Sequence, residues 1–221
     1  MSCITCAAAG AALGCKKAPA AGSDEAGAGK ESAAGPNKDI PCKEDTNKQV
    51  VNGKLSRCLL TTDFAIDGYT CEAGKIVDLQ PTGKLKGCSL KTAKVVDGTS
   101  CKDGLALFPS GKLRRCKATV ARNIAAGVDL RAGDWVTFNE AGNIKRLELE
   151  PGPNKIQNLP CKGYLNYFHD NGKLKKCELS ADATIEGKLV ASKADGGSVS
   201  VCFDDKGKRV ADCSLLTGAW D

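Results

Sequence analysis

Cysteine offers more chemistry than any other residue type in this sequence. The 221 residues include 13 cysteines and only one histidine. A zinc site would therefore need thiolates alone, and the only C-x2-C pair, Cys3 with Cys6, lies in the apolar N-terminal stretch. Cysteines this numerous and this widely spaced are typical of disulfides formed in an oxidising compartment. The sequence predicts disulfides and no metal site.

Groups suited to acid–base catalysis are few. His169 stands beside Asp170 in a Y-F-H-D-N-G segment, where histidine is typically a solvated turn residue. The carboxylate pairs Asp204–Asp205 and Glu44–Asp45 lie in polar turn sequences without the D-x-D-x-D-G pattern of a calcium loop. We therefore predict no enzymatic activity, no catalytic residue and no cofactor.

The elements that would hold the cysteines repeat along the chain. Phrases close to N-G-K-L-K-K-C-E-L place turn glycines at Gly53, Gly83, Gly111, Gly142 and Gly172, separated by 30, 28, 31 and 30 residues, and Gly207 begins a looser sixth copy. Each unit reads as strand, turn, strand, and a second glycine follows about fifteen residues later. One hairpin is marginally stable alone, so stacked hairpins must share a core. The expected fold is all-β, an elongated meander or solenoid of about five to six disulfide-stapled hairpin repeats of about 30 residues.

The ten cysteines of the repeats allow two pairing schemes, within a unit or between units. The fourth copy distinguishes them because it lacks both cysteines, with Arg131 near one expected position and Leu147 at the other. Pairing within units loses one complete disulfide there, whereas pairing between units would leave Cys42, Cys116 and Cys161 without partners. The predicted disulfides are Cys42–Cys58, Cys71–Cys88, Cys101–Cys116, Cys161–Cys177 and Cys202–Cys213.

Basic residues follow the turn of every repeat. If the hairpins stack in register, these cations form a ladder that would attract an anionic partner; alternatively, they only solvate the outer face and discourage edge pairing. Nucleic acid is not expected as the partner, because no aromatic platform accompanies the lysines in sequence. The candidate residues are Lys54, Arg57, Lys84, Lys86, Lys112, Arg114, Arg115, Lys145, Arg146, Lys173, Lys175 and Lys176.

The N-terminal segment resembles a bacterial lipoprotein signal. Residues 1–14 are largely apolar and end in Ala-Leu-Gly before Cys15, the cysteine that the resemblance implies is lipidated. Residues 15–38 are rich in Ala, Gly, Ser and charge and are expected to form a disordered tether. Residues 39–190 would form the repeat array, and residues 191–221 a divergent capping hairpin closed by Trp220.

The repeated residues resemble a known family. Tyr167–Lys175, Phe138–Lys145 and Phe108–Arg114 are similar to the bacterial variant of the MORN repeat found in YwqK-type antitoxins, and the resemblance extends over Ile40–Leu179. It implies a β-hairpin array that serves as a binding or scaffolding surface. Here the period is longer than the family's unit, and the cysteines are additional.

These features favour a lipid-anchored protein of the bacterial cell envelope, whose repeats form a non-catalytic binding or structural module. Its partners would be the membrane, through the lipid, and an envelope protein or an anionic surface. Lys16 follows the lipidated cysteine where aspartate would signal inner-membrane retention, which favours the outer membrane. An exported toxin or immunity-type protein, and a cytosolic antitoxin-like protein with reduced thiols, remain as alternatives.

Overall fold

The computed structural model describes residues 39–44, 47–120, 122–124, 127–152, 154–192 and 199–215. The expected signal, the lipidation at Cys15, the tether and the capping role of Trp220 lie outside these residues.

Each repeat contains two hairpins, where the sequence predicts one. The long hairpins are β1 (Gln49–Val51) with β2 (Lys54–Leu59), β5 (Ile76–Leu79) with β6 (Leu85–Cys88), β9 (Leu105–Leu107) with β10 (Leu113–Lys117), β13 (Trp135–Phe138) with β14 (Ile144–Leu149), β17 (Tyr164–Phe168) with β18 (Leu174–Leu179), and β21 (Val199–Phe203) with β22 (Arg209–Val210). The short hairpins between them are β3 (Phe64–Ile66) with β4 (Tyr69–Cys71), β7 (Lys94–Val96) with β8 (Thr99–Cys101), β11 (Arg122–Ile124) with β12 (Val128–Leu130), β15 (Asn154–Ile156) with β16 (Leu159–Cys161), and β19 (Ala183–Ile185) with β20 (Lys188–Val190). A 3₁₀ turn, Cys213–Leu215, follows the last strand.

The long hairpins join in chain order into one open antiparallel sheet. With the short strands β16, β15, β12 and β11, which attach at β18, this sheet has 16 strands among the described residues. The other three short hairpins are separate two-stranded sheets. The predicted all-β meander is confirmed, and no α-helix occurs in the described part of the chain.

The turn of the long hairpin has the same geometry in five copies. The amide of Gly83 donates to the carbonyl of Gln80 at 2.8 Å, and the amide of Gln80 donates to the carbonyl of Lys84 at 2.8 Å. Gly83 has φ +86°, which glycine adopts without steric cost, as in a type I turn closed by a G1 bulge. Gly207 has φ +87°, and its amide donates to the carbonyl of Asp204 at 2.9 Å. The loose sixth copy therefore makes the same turn as the copies at Gly83, Gly111, Gly142 and Gly172.

The core lies between the inner face of the large sheet and the short hairpins. In the first five long hairpins, the residues two, five and seven positions after the turn glycine face inward, for example Leu85, Cys88 and Leu90. They meet inward residues of the short hairpins such as Val96 and Ile156. The interior is thin and mostly aliphatic, which explains why so few aromatic residues suffice.

Candidate functional site

Four of the six long hairpins are each joined by one disulfide to the chain that precedes them. Cys71 ends β4 and bonds Cys88 in β6 with a Cα–Cα distance of 5.9 Å, so the bond links a short hairpin to the next long one. The bond does not join the two strands of one hairpin. The pairs with this arrangement are Cys42–Cys58, Cys71–Cys88, Cys101–Cys116 and Cys161–Cys177, although Cys42 is preceded by no short hairpin among the described residues.

The fifth disulfide, Cys202–Cys213, lies on the opposite face of the sheet. Cys202 is directly opposite Lys176, and residues in this position share a face. Cys177, the cysteine of the fourth disulfide, is opposite Val201 instead, on the inner face. The 3₁₀ turn that carries Cys213 therefore crosses to the outer face. All five disulfides are the pairs that the spacing favours.

In the fourth repeat, two leucines occupy the cysteine positions. Leu130 ends β12, as Cys101 ends β8, and Leu147 is five residues after its turn glycine. Both are buried, at 1% and 0% exposure. The sequence alone places Arg131 near the first cysteine position, whereas in the structure Leu130 is the residue equivalent to that cysteine. An apolar pair thus replaces the missing bond.

The turns of four of the five short hairpins are hydrogen-bonded to the neighbouring long hairpin. Asp67 accepts a hydrogen bond from the amide of Leu85 at 2.6 Å, and Asp97 accepts one from the amide of Leu113 at 2.7 Å. Gln157 and Glu186 do the same for Leu174 and Arg209, at 3.0 and 3.1 Å. These hydrogen-bond acceptors were not predicted from the sequence. Their signal is the polar residue that stands immediately before the second glycine, or before Asn158, in four copies; the copy that ends at Gly127 has an alanine there.

The lysine that follows the turn glycine contacts the next repeat. Lys54, Lys112 and Lys173 donate through Nζ to the backbone carbonyls of Pro81, Glu140 and Lys206 at 3.2, 3.0 and 2.9 Å. Three of the twelve candidate cations therefore connect successive turns.

In the third, fourth and fifth long hairpins, a bulge places two consecutive cations on the outer face of the large sheet. In β10, Leu113 pairs with Leu107 and Arg115 with Ala106, so Arg114 is an extra residue. The order along β10 is thus inward, outward, outward, inward, which its burial pattern follows. The same shift occurs in β14 and β18. We call the resulting group of outward cations the cationic face; its members are Arg114, Arg115, Lys117, Lys145, Arg146, Lys175 and Lys176.

Aromatic side chains lie between the cations of this face. Trp135 is opposite Lys117, and Tyr167 lies between Arg146 and Lys176 across three strands. The Arg115 guanidinium is 4.4 Å from the centre of the Trp135 ring. The premise that no aromatic residues accompany these cations is wrong, because strand pairing brings together residues that are distant in sequence.

Glu148 connects two arginines of the cationic face. Its Oε1 accepts from Arg115 Nη2 at 2.8 Å and from Arg146 Nη2 at 2.9 Å. The only other carboxylate on the outward positions of β10, β14 and β18 is Glu178. Seven cations against two carboxylates leave the cationic face with a net charge of +5.

The remaining candidate cations lie in the first two repeats. Arg57 forms an exposed ion pair with Asp78 at 3.6 Å. Lys84 and Lys86 are exposed, but Gly87 takes the place that a cation occupies in the later repeats. A Cβ atom at Gly87 would lie 2.5 Å from the Leu105 carbonyl oxygen, so any larger residue would displace β9.

His169 connects two neighbouring long hairpins. Its Nε2 is 2.8 Å from the Phe203 carbonyl oxygen, to which it donates in the tautomer protonated at Nε2. The expectation of a solvated turn residue is corrected, since the ring is half-buried and bonded. Among the described residues, no group of three or more His, Cys, Asp or Glu could hold a metal ion.

Two titratable groups show how the turns are stabilised. Asp204 accepts hydrogen bonds from the amides of Lys208 and Lys206 at 2.8 and 3.0 Å, and the pKa of its carboxyl is lowered, chiefly by the Lys208 amide. Burial raises the pKa of Tyr69, and the nearby Asp97 and Asp67 raise it further.

Across the described residues, the structure contains no helical segment with the length and hydropathy of a membrane span. No protein-family model matches the chain, and no curated protein matches it either.

Proposed function

We propose that the protein is exported, anchored in a bacterial envelope membrane through a lipid on Cys15, and acts as a non-catalytic binding or structural module. The observation that carries the proposal is the set of five disulfides. Eight of the ten bonded cysteines are buried at 5% exposure or less. Without the first four bonds, four repeats would lose their covalent link to the preceding chain. Such bonds persist in oxidising compartments.

The binding role is favoured over catalysis by what the polar groups do. His169, Asp97 and Glu186 are engaged in hydrogen bonds that join hairpins, and Glu148 lies between two arginines. The cationic face, in contrast, is an extended charged surface that could bind a partner. The resemblance to MORN-variant repeats also implies a hairpin array used for binding.

The test is the intact mass of the full chain purified from its native membrane, alkylated with and without prior reduction. We expect a mass that begins at Cys15 with acyl chains, and ten cysteines that react only after reduction. A Cys15→Ser variant is the matched control, and it should lose the lipid and leave the membrane fraction with its disulfides intact. An unprocessed chain that starts at Met1 with freely reacting thiols would overturn the proposal and favour the cytosolic antitoxin-like alternative.

A further inference from the structure

The cationic face combines a single sign of charge with a regular spacing. Its cations come in pairs on β10, β14 and β18, and one strand separates each pair from the next. Neighbouring strands are about 4.8 Å apart, so successive pairs are separated by about 9.6 Å. A linear partner whose anionic groups are about 9.6 Å apart could therefore place one group on each cation pair.

We propose that the cationic face binds an acidic polysaccharide, with its carboxylate or sulfate groups on the cation pairs and its sugar rings over the strands between them. The inference rests on the proposed function, since it names the partner of the exported module. In an extended chain with one charged sugar in two, the anionic groups are separated by two sugar rings, a length close to the spacing of the cation pairs. Arginine adds bidentate hydrogen bonding to carboxylate and sulfate.

The strands between the cation pairs present neutral surface that suits sugar rings. Outward positions of β13 and β17 carry Trp135, Thr137, Leu165 and Tyr167. Leu165 is 45% exposed. The apolar C–H edges of sugars would pack against Leu165 and Tyr167, while the charged groups reach the cations on both sides.

Single-stranded nucleic acid fits this face less well. Base stacking requires an open aromatic ring face. One face of Trp135 is covered by Arg115, and its ring edge fits against Gly104, where a Cβ atom would lie 2.1 Å from Trp135 Cη2. Arg115 and Arg146 also hold the Glu148 carboxylate on this surface. That carboxylate would repel the closely spaced phosphates of a nucleic-acid strand.

The experiment measures binding of the oxidised full chain to hyaluronan and unsulfated chondroitin oligosaccharides, which carry one carboxylate on every second sugar, with neutral dextran as a negative probe. We expect both acidic oligosaccharides to bind, more weakly as salt increases, and dextran not to bind. The variant Arg114→Gln/Lys145→Gln/Lys175→Gln removes one cation from each pair at the bulged position. It should weaken binding roughly 100-fold, from about fivefold for each cation near an anionic surface.

The matched control Lys43→Gln/Lys155→Gln/Lys188→Gln removes the same charge from exposed positions outside the cationic face. It should bind like the unmodified chain. Equal weakening in both triple variants would overturn the inference, because net charge alone would then explain binding. So would a preference for a single-stranded oligonucleotide or for anionic lipid vesicles over both oligosaccharides.

The outcome is separable from that of the proposed function. A chain whose ten cysteines are protected from alkylation but which binds neither oligosaccharide would overturn this inference alone. Thiols that react freely in the chain from its native source would overturn the proposed function instead.

Discussion

At the scale of single residues, Asn166 departs most clearly from its surroundings. It faces inward from β17 opposite Leu147, at a position where β5 and β13 have Val77 and Val136. It is 1% exposed, and its Nδ2 donates to the Tyr164 carbonyl at 3.1 Å, but its Oδ1 has no partner among the described residues. A buried oxygen without a partner lowers stability by about 1–3 kcal/mol.

We therefore expect Asn166→Val to raise the free energy of unfolding by about 1 kcal/mol, measured by guanidinium denaturation, because the loss of the Tyr164 bond offsets part of the gain. Asn166→Asp, which buries a charge, should lower it by several kcal/mol, on the order of the cost of an unpaired buried group. A less stable Asn166→Val would show that the amide makes a bond essential to the fold.

Asp97 is the second residue that a substitution can test. Its carboxylate accepts from the Leu113 amide and its φ is +44°, a conformation that Asn also tolerates. Asp97→Ala removes the acceptor and should lower the free energy of unfolding by about 1 kcal/mol, since the site is exposed and the bond competes with water. Asp97→Asn keeps an acceptor and should cost less. Equal losses in the two variants would mean that the hydrogen bond contributes nothing.

At the scale of elements, the fourth repeat shows what a disulfide and an apolar pair contribute in the same place. Leu130 and Leu147 occupy the positions that cysteines hold in the neighbouring repeats. The double variant Leu130→Cys/Leu147→Cys should form a sixth disulfide during oxidative folding. Its loop is as long as that of Cys71–Cys88, with a sequence separation of 17, so the bond should stabilise by ~3 kcal/mol on the chain-entropy estimate.

Thiol counting under denaturing conditions checks that bond, and the guanidinium midpoint checks its effect. The single variant Leu147→Cys is the control, and it should show one more free thiol than the unmodified chain and lower stability. Two additional free thiols in the double variant would show that the fourth repeat does not bring these positions together as the others do.

At the scale of the whole molecule, the disulfides differ in how accessible their sulfur atoms are. Cys42 and Cys213 are half-buried, whereas both cysteines of the three internal bonds are buried at 5% exposure or less. Thiol–disulfide exchange requires direct attack on a sulfur atom. Mild reduction without denaturant should therefore open Cys42–Cys58 and Cys202–Cys213 first, as followed by stepwise alkylation and peptide mass mapping. Simultaneous opening of Cys101–Cys116 would indicate that the chain unfolds as one unit before any bond is reduced.

The sequence by itself determines the features that depend on local and periodic signals. Gly83 and its equivalents specify turns, alternation around them specifies strands, and the cysteine-free fourth copy selects one disulfide pairing. All twelve candidate cations can be named from sequence for the same reason, since they follow each turn at fixed offsets.

Only the tertiary structure decides how those pieces face one another. The second row of hairpins, the hydrogen bond from the Leu85 amide to Asp67 and the outward position of Cys202 all depend on contacts between segments many residues apart. The bulge at Arg114 changes which side chains share a face, so it separates the cations into turn-connecting lysines and the cationic face. Strand register and layer packing carry this information, because a shift of one residue moves a side chain to the other side of a sheet.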